Sequence, residues 1–279
     1  MRSQARQTTL ARPVSKEGFG LHTGAPSSLT VRPAGPGTGL VFLLRSGERL
    51  PATAEQVVET QRCTTLGSAK SRIGTVEHLL SALFGLGVDN AEIAVDGEEV
   101  PACDGSAREW VALVRGVGVV RQEAPREELA LLAPVWVEEG EAWAMAVPAP
   151  RFALSVGVDF GDPVVGRQAV SLTVTPARYA RELAPARTFC FQEEIEELLA
   201  AGLAKGGSEE NAVVIGPEGY SQPLRFPDEP VRHKAMDAVG DLALCGFRLR
   251  AHVILGRPSH RLNVALAGAL RDLHGGRRF

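Results

Sequence analysis

The sequence predicts an α+β protein built as two domains of similar construction. Three observations point there. Short β-type runs with turn punctuation are interleaved with a few apolar helical runs along the 279 residues. The halves echo each other: an apolar helix containing His78 ends at glycine and leads into a strand, and a helix containing His233 does the same. Between them, residues 121–128 form a polar, proline-containing break. That break divides the chain into a first α+β domain, 1–122, and a second, 123–279. The length suffices for two ordinary domains.

The first domain begins with strands at 29–33 and 39–44, each bounded by proline or glycine. Val76, Leu79, Leu80, Leu83 and Phe84 recur at helical spacing and predict a helix over 76–84, stopped by Gly85-Leu86-Gly87. A strand at 91–95 follows, then a polar loop and a helix over 106–114. Beyond the break come strands at 142–147, 153–160 and 169–174. A helix over 193–201 and a short strand at 211–215 flank a segment holding Gly202, Gly206 and Gly207. The helix over 231–244 meets Gly246 and leads to a strand at 251–255.

Hydrophobic residues make up 44% and charged residues 23%, a soluble globular balance. A net charge of -3 argues against nucleic acid or an anionic membrane as a general partner. Two local basic patches run the other way, Arg248 with Arg250 and the tail 271–278, which reads as a frayed terminus before it reads as a partner site. Cys63, Cys103, Cys190 and Cys245 are scattered without a C-x-x-C pair, so reduced thiols of a cytoplasmic protein are expected. Residues 1–7 are basic but lead into no apolar signal region, and no run approaches the roughly 20 apolar residues of a membrane span. The expectation is a cytoplasmic protein with no stable membrane insertion, a monomer by default.

Two segments carry the chemistry. Thr75-Val76-Glu77-His78 opens the first apolar helix, and 232–241 contains His233, Asp237 and Asp241 four apart, hence on one helix face. Together they offer two imidazoles and a carboxylate to a metal, with further carboxylates as bases. That set suits a hydrolytic zinc site with an open coordination position. Taken singly, His78 reads as a satisfied core histidine and Asp237 as a helix-face charge.

Those segments belong to a longer series. It includes Gly20-Leu21-His22-Thr23-Gly24, Cys63-Thr64-Thr65, Gly85 through Asn90, Asp104-Gly105-Ser106-Ala107, Ala186-Arg187-Thr188-Phe189, Gly206-Gly207-Ser208, Leu224-Arg225-Phe226 and the late His260. In this series the chain resembles, nearly end to end, the zinc-dependent UDP-3-O-acyl-N-acetylglucosamine deacetylases of lipid A biosynthesis.

The resemblance implies two sandwich domains packed helix to helix, each with a small insert, and an active site at their junction. The second insert, at about 188–215, would form a hydrophobic passage for an acyl chain. His78, His233 and Asp237 would hold one zinc ion, a donor set that also accepts iron. Glu77 would be the general base and His260 the acid, with Asp241 holding that imidazole and Thr188 donating to the oxyanion. Lys234 would contact substrate or phosphate, Phe160 and Asp159 the uridine, and Arg257, where the family usually has lysine, the pyrophosphate.

The implied reaction is hydrolysis of the N-acetyl group of UDP-3-O-[(3R)-3-hydroxyacyl]-N-acetylglucosamine, the committed step of lipid A biosynthesis, releasing acetate and the free amine. The alternative is a related zinc amidase acting on another acylated sugar nucleotide. A non-catalytic binding member would have lost Glu77, His260 or a metal ligand, and all are present. Pro258-Ser259 departs from the family's Ser-Gly before the histidine, which would stiffen that loop. His22-Thr23-Gly24 reads as a turn signature, His252 as structural, and Cys63 as near the site without a catalytic role.

Overall fold

The computed structural model describes residues 5–275; the end of the basic tail, 276–279, and residues 1–4 lie outside the described residues. The architecture is mixed α and β, with two large sheets of the same topology. The first orders its strands Val14–Phe19, Pro26–Pro33, Ala91–Asp96, Leu40–Leu44, Arg49–Pro51. The second orders them Val135–Glu139, Ala142–Pro148, Arg248–Gly256, Ala153–Asp159, Arg167–Thr173, with Glu128–Ala130 also pairing Arg248–Gly256. In both, the last strand in the chain takes the central place, antiparallel to the second and parallel to the third.

Six helices are present among the described residues: α1 (Glu77–Gly85), α2 (Arg108–Val117), α3 (Pro176–Glu182), α4 (Ile195–Ala200), α5 (Glu229–Ala243) and α6 (His260–His274). Each central strand is entered from a buried helix, α1 or α5, and left toward an amphipathic one, α2 or α6. All of α1 is buried, its polar Glu77, His78 and Ser81 included. On α2 only Trp110, Val111 and Val114 are buried, a single stripe.

The two buried helices pack on each other. Ser81 Oγ on α1 donates to the Met236 carbonyl on α5 at 2.7 Å, and the Tyr179 hydroxyl donates to Ser81 Oγ at 2.8 Å. Gly240 makes the approach possible: a Cβ there would stand 2.8 Å from the carbonyl carbon of Glu77 and 3.0 Å from its Cα. Smaller sheets lie to either side: Val57–Glu59, Thr65–Gly67 and Arg72–Ile73 in the first half, Phe189–Phe191, Val213–Gly216 and Gly219–Tyr220 in the second.

Three expectations are corrected. Residues 121–128 are no simple break, because Val119–Pro125 is a strand paired antiparallel with Arg6–Leu10. Most of it is solvent-facing, so it lacks the apolar alternation by which a strand is recognised. Arg248 is no surface basic patch; it is largely buried, pairing through Nε with Asp89 Oδ1 at 2.8 Å, while Arg126 holds Asp89 Oδ2 at 2.8 Å. The tail is ordered helix as far as His274, with Arg271 donating to the Cys245 carbonyl and pairing with Glu55. Among the described residues no helix is long and apolar enough to cross a membrane.

Candidate active site

The N-terminus of α1, the middle of α5 and the N-terminus of α6 converge on one cavity of about 290 Å³. α1 brings Glu77 and His78 in its first turn. α5 brings His233, Asp237 and Asp241 along one face, as their spacing predicts. His260 is the first residue of α6, where Ser259 caps the helix by accepting from the Leu262 amide at 3.1 Å. The residue that replaces the family's glycine is thus a helix cap, a favoured role for serine.

Nitrogen and oxygen donor atoms of His78, His233 and Asp237 lie within 4.8 Å of one another. Nε2 of each imidazole stands 3.4 Å from Asp237 Oδ1. That oxygen is buried and has no hydrogen-bond partner. A buried carboxylate oxygen without a partner is costly, and facing two imidazole nitrogens it has the surroundings of a metal ligand. The other oxygen, Oδ2, accepts from Lys234 Nζ at 2.8 Å. His233 Nδ1 lies 3.2 Å from the Ala186 carbonyl, a contact that orients the ring and leaves Nε2 as the donor atom.

Burial opposes the charge on Asp237, yet His233, Lys234 and His78 hold its carboxyl well below the usual range. Burial likewise drives His233 down to about 3, against the pull of Asp237, so this imidazole is neutral and its lone pair available. Burial also works against a charged His78, but Asp237 and Glu77 outweigh it and raise that group. The two metal-type histidines therefore differ in proton affinity: Asp237 and Glu77 outweigh burial at His78, whereas at His233 burial prevails, with His78 and Lys234 adding to it.

Glu77 is 2% exposed, and burial raises its carboxyl above the ordinary value while His260 and His78 pull the other way. Its Oε2 accepts from the Thr64 amide at 3.0 Å. His260 Nδ1 lies 3.0 Å from Asp241 Oδ2, and its Nε2 is 3.9 Å from Asp237 Oδ2. Burial disfavours the imidazolium, but Asp241 overcomes it and raises His260 to about 9. Asp241, fully buried, also accepts from Thr64 Oγ1 at 2.6 Å and Asn263 Nδ2 at 2.9 Å.

Thr188, Lys234 and Phe160 line the same cavity, with Phe160 meeting Phe189 and Phe191 edge to face at 5.5 and 5.6 Å. Asp159 and Arg257 are absent from that lining. Asp159 is held by Arg167 at 2.9 Å and Arg257 at 3.3 Å, and Arg257 pairs as well with Glu141. The turn at His22-Thr23-Gly24 is pinned by Glu99, which accepts from the His22 and Thr23 amides at 2.9 and 2.8 Å. His252 sits within the central strand of the second sheet, bonded to Ser155 at 2.8 Å. Cys63 is buried outside the metal-type group, its thiol pushed up to about 12 by burial.

Backbone strain gathers here. Thr75 (φ 54°) precedes α1, and Arg257 (φ 51°) precedes α6. A β-branched residue in the left-handed region is an outlier, held where surrounding contacts over-determine it. Thr75 Oγ1 is anchored to Glu99 at 2.7 Å.

Sequence reasoning did not assign Thr64, Asn263, Arg62, Glu194 or the aromatic wall of Phe189 and Phe191. Asn263 shares a helix face with His260, so recognising α6 would have found it. Arg62 and Glu194, both in the cavity lining, pair at 2.7 Å from distant parts of the chain, a contact with no local signal.

Fold and site together define a class: an α+β protein with metal-type donor side chains buried where two central helices meet, beside a carboxylate and a charged imidazole. The model of the LpxC family, UDP-3-O-acyl N-acetylglycosamine deacetylase, matches residues 7–272, and the chain belongs to that family. The UDP-3-O-acyl-N-acetylglucosamine deacetylase of Myxococcus xanthus is 45% identical over 266 residues, covering 94% of this chain and 85% of that protein. Those of a Nostoc species and of Thermosynechococcus vestitus are 44% and 46% identical, covering 94% and 95% of this chain and 97% and 93% of theirs.

Proposed function

We propose that this chain hydrolyses the N-acetyl group of UDP-3-O-[(3R)-3-hydroxyacyl]-N-acetylglucosamine, with one zinc ion held by His78, His233 and Asp237. Acetate leaves and the free amine remains, the committed step of lipid A biosynthesis. Family membership supports the substrate. The observation that carries the metal is the partnerless Asp237 Oδ1, buried between two imidazole nitrogens with Glu77 alongside. Two sandwich domains, 1–122 and 123–279, packed through α1 and α5 and each carrying a small insert, are the proposed frame. The cytoplasm is the proposed compartment and a monomer the proposed state.

Zinc, when bound, supplies Lewis acidity toward the amide carbonyl and toward water. Glu77 takes the proton from the attacking water. Its burial raises its proton affinity, which suits a carboxylate that must hold a proton transiently. His260, cationic at neutral pH and fixed through Nδ1 by Asp241, gives its Nε2 proton to the leaving amine, and the proton that Glu77 took from water then recharges the imidazole. Thr188, on the cavity wall, donates to the developing oxyanion.

Lys234 and Phe160 contact the substrate from the same wall. Asp159 and Arg257, one residue outside it on either strand end, are proposed to meet uridine and pyrophosphate at the rim. The insert at about 188–215, which contributes Phe189 and Phe191 to the lining, is the proposed acyl passage.

The test is acetate release from the acylated UDP-N-acetylglucosamine by native, chelator-stripped and Glu77→Gln protein. Activity lost on chelation, restored by zinc and reduced about 10²–10⁴-fold in Glu77→Gln with metal content intact is the expected result. No turnover by zinc-loaded protein would overturn the substrate assignment.

A further inference from the structure

We infer that Thr64 is a positioning residue that ties the general base and the general acid to one rigid point. The inference rests on the roles proposed above for Glu77 and His260. Thr64 is completely buried and is not among the residues that line the cavity. Its backbone amide donates to Glu77 Oε2 at 3.0 Å, and its hydroxyl donates to Asp241 Oδ1 at 2.6 Å. The second oxygen of Asp241 holds His260 at 3.0 Å. One residue thus grips the base directly and the acid through a single intervening carboxylate.

The third bond completes the device. The Thr64 carbonyl accepts from the Val76 amide at 3.2 Å, just ahead of Glu77 and just after the strained Thr75. The segment bearing Thr64 is therefore clamped to the start of α1 by its backbone and to α5 by its side chain. Asp241 needs that hydroxyl. It is 0% exposed, and Thr64 and Asn263 are the donors that hold its two oxygens alongside His260. Without Thr64 Oγ1, Oδ1 of a buried carboxylate loses a charge-assisted bond, and Asp241 is held through Oδ2 alone, by Asn263 and His260.

Thr64→Val removes the hydroxyl and keeps the shape. A hydrogen bond to a charged group corresponds to roughly a ten- to hundredfold effect. We expect kcat for acetate release to fall by about that factor, with KM and metal content unchanged, and Thr64→Ser to restore most of it. A general packing role would lower thermal stability with valine and leave serine no better. Asp241→Asn supplies the second arm of a double-mutant cycle: if Thr64 acts through Asp241, the two losses do not add. Should the valine variant fail to fold, Thr64→Ala against Thr64→Ser makes the same comparison. Wild-type kcat in Thr64→Val, or losses that add in full with Asp241→Asn, overturns the inference. Absence of turnover in the wild type instead overturns the proposed reaction.

Discussion

Gly240→Ala is the sharpest test of how the two central helices build the site. The added methyl would meet the Glu77 carbonyl carbon at 2.8 Å and Cα at 3.0 Å, with the carbonyl oxygen nearer still. Comfortable carbon contacts need about 3.5–4.0 Å, so α1 and α5 must separate by roughly 1 Å. Both partners in the clash are backbone, and no rotamer change relieves it. Overpacking of this kind costs about 1–3 kcal/mol, against up to about 1 kcal/mol gained from alanine's helix propensity. A net loss of about 1–2 kcal/mol corresponds to a Tm drop of roughly 2–8 °C. On the proposed mechanism the activity effect is larger, because the residue pushed away is the proposed base Glu77, and a 1 Å misplacement costs on the order of 10²-fold. Gly268→Ala in α6 is the control: its Cβ would meet nothing closer than 3.8 Å, so it should keep activity and gain slightly in stability. Scanning calorimetry and acetate-release kinetics read both variants. Wild-type Tm and kcat in Gly240→Ala would refute the close approach as the determinant of site geometry.

Other perturbations follow from the same contacts. His260 is raised from 6.5 to about 9, so its stabilisation is complete below 6.5 and lost as pH rises through about 9. The alkaline limb of kcat against pH should fall in that upper range and shift downward in Asp241→Asn; a limb that stays put removes His260 as the acid. Arg187 and Glu229 pair at 2.9 Å, 6% and 1% exposed, beside Ala186 and Thr188. Arg187→Ala strands a buried carboxylate and should cost about 3–5 kcal/mol in denaturant unfolding. Burial raises Glu229, but its bonds to Arg187 and Arg225 lower it overall, so this contribution is present above 4.5 and fades as pH falls below it. Ser259→Ala should cost about 1 kcal/mol as a lost cap, and Ser259→Gly only a few tenths; equal losses would mean Ser259 is no cap.

Much of this was legible in the chain, and the pattern of hits and misses is physical. The buried helices α1 and α5 announce themselves by apolar spacing and by the four-residue spacing of His233, Asp237 and Asp241. The strands of the large sheets show because one face is core: Leu154, Val156 and Val158 alternate with half-buried positions. α6 escaped notice although Ser259 caps it and Leu262, Leu266 and Leu270 recur at four-residue intervals. Proline, glycine and histidine around its start read as loop. The ribbon of Arg6–Leu10 with Val119–Pro125 was invisible because backbone pairing between distant, exposed segments leaves no periodic trace. For the same reason, the side chains that hold Asp241 and line the cavity, Thr64 and Arg62, had no role until the chain was folded.

Charge explains why these helices must meet around something more than each other. Glu77, Asp237 and Asp241 are all buried, and the cations facing them are Lys234 and the protonated His260. With the carboxylates ionised, one negative charge is left over in a place where unpaired charge is expensive. A proton on Glu77 or on His78 offsets it, and both groups are raised, Glu77 by burial and His78 by Asp237 and Glu77 against burial. A divalent ion between His78, His233 and Asp237 removes the need for that proton and leaves Glu77 ionised. On the proposed reaction, metal binding should therefore release a proton and tighten with rising pH. Occupancy of the site and loss of that proton are then one event, shared between α1, which carries Glu77 and His78, and α5, which carries His233 and Asp237.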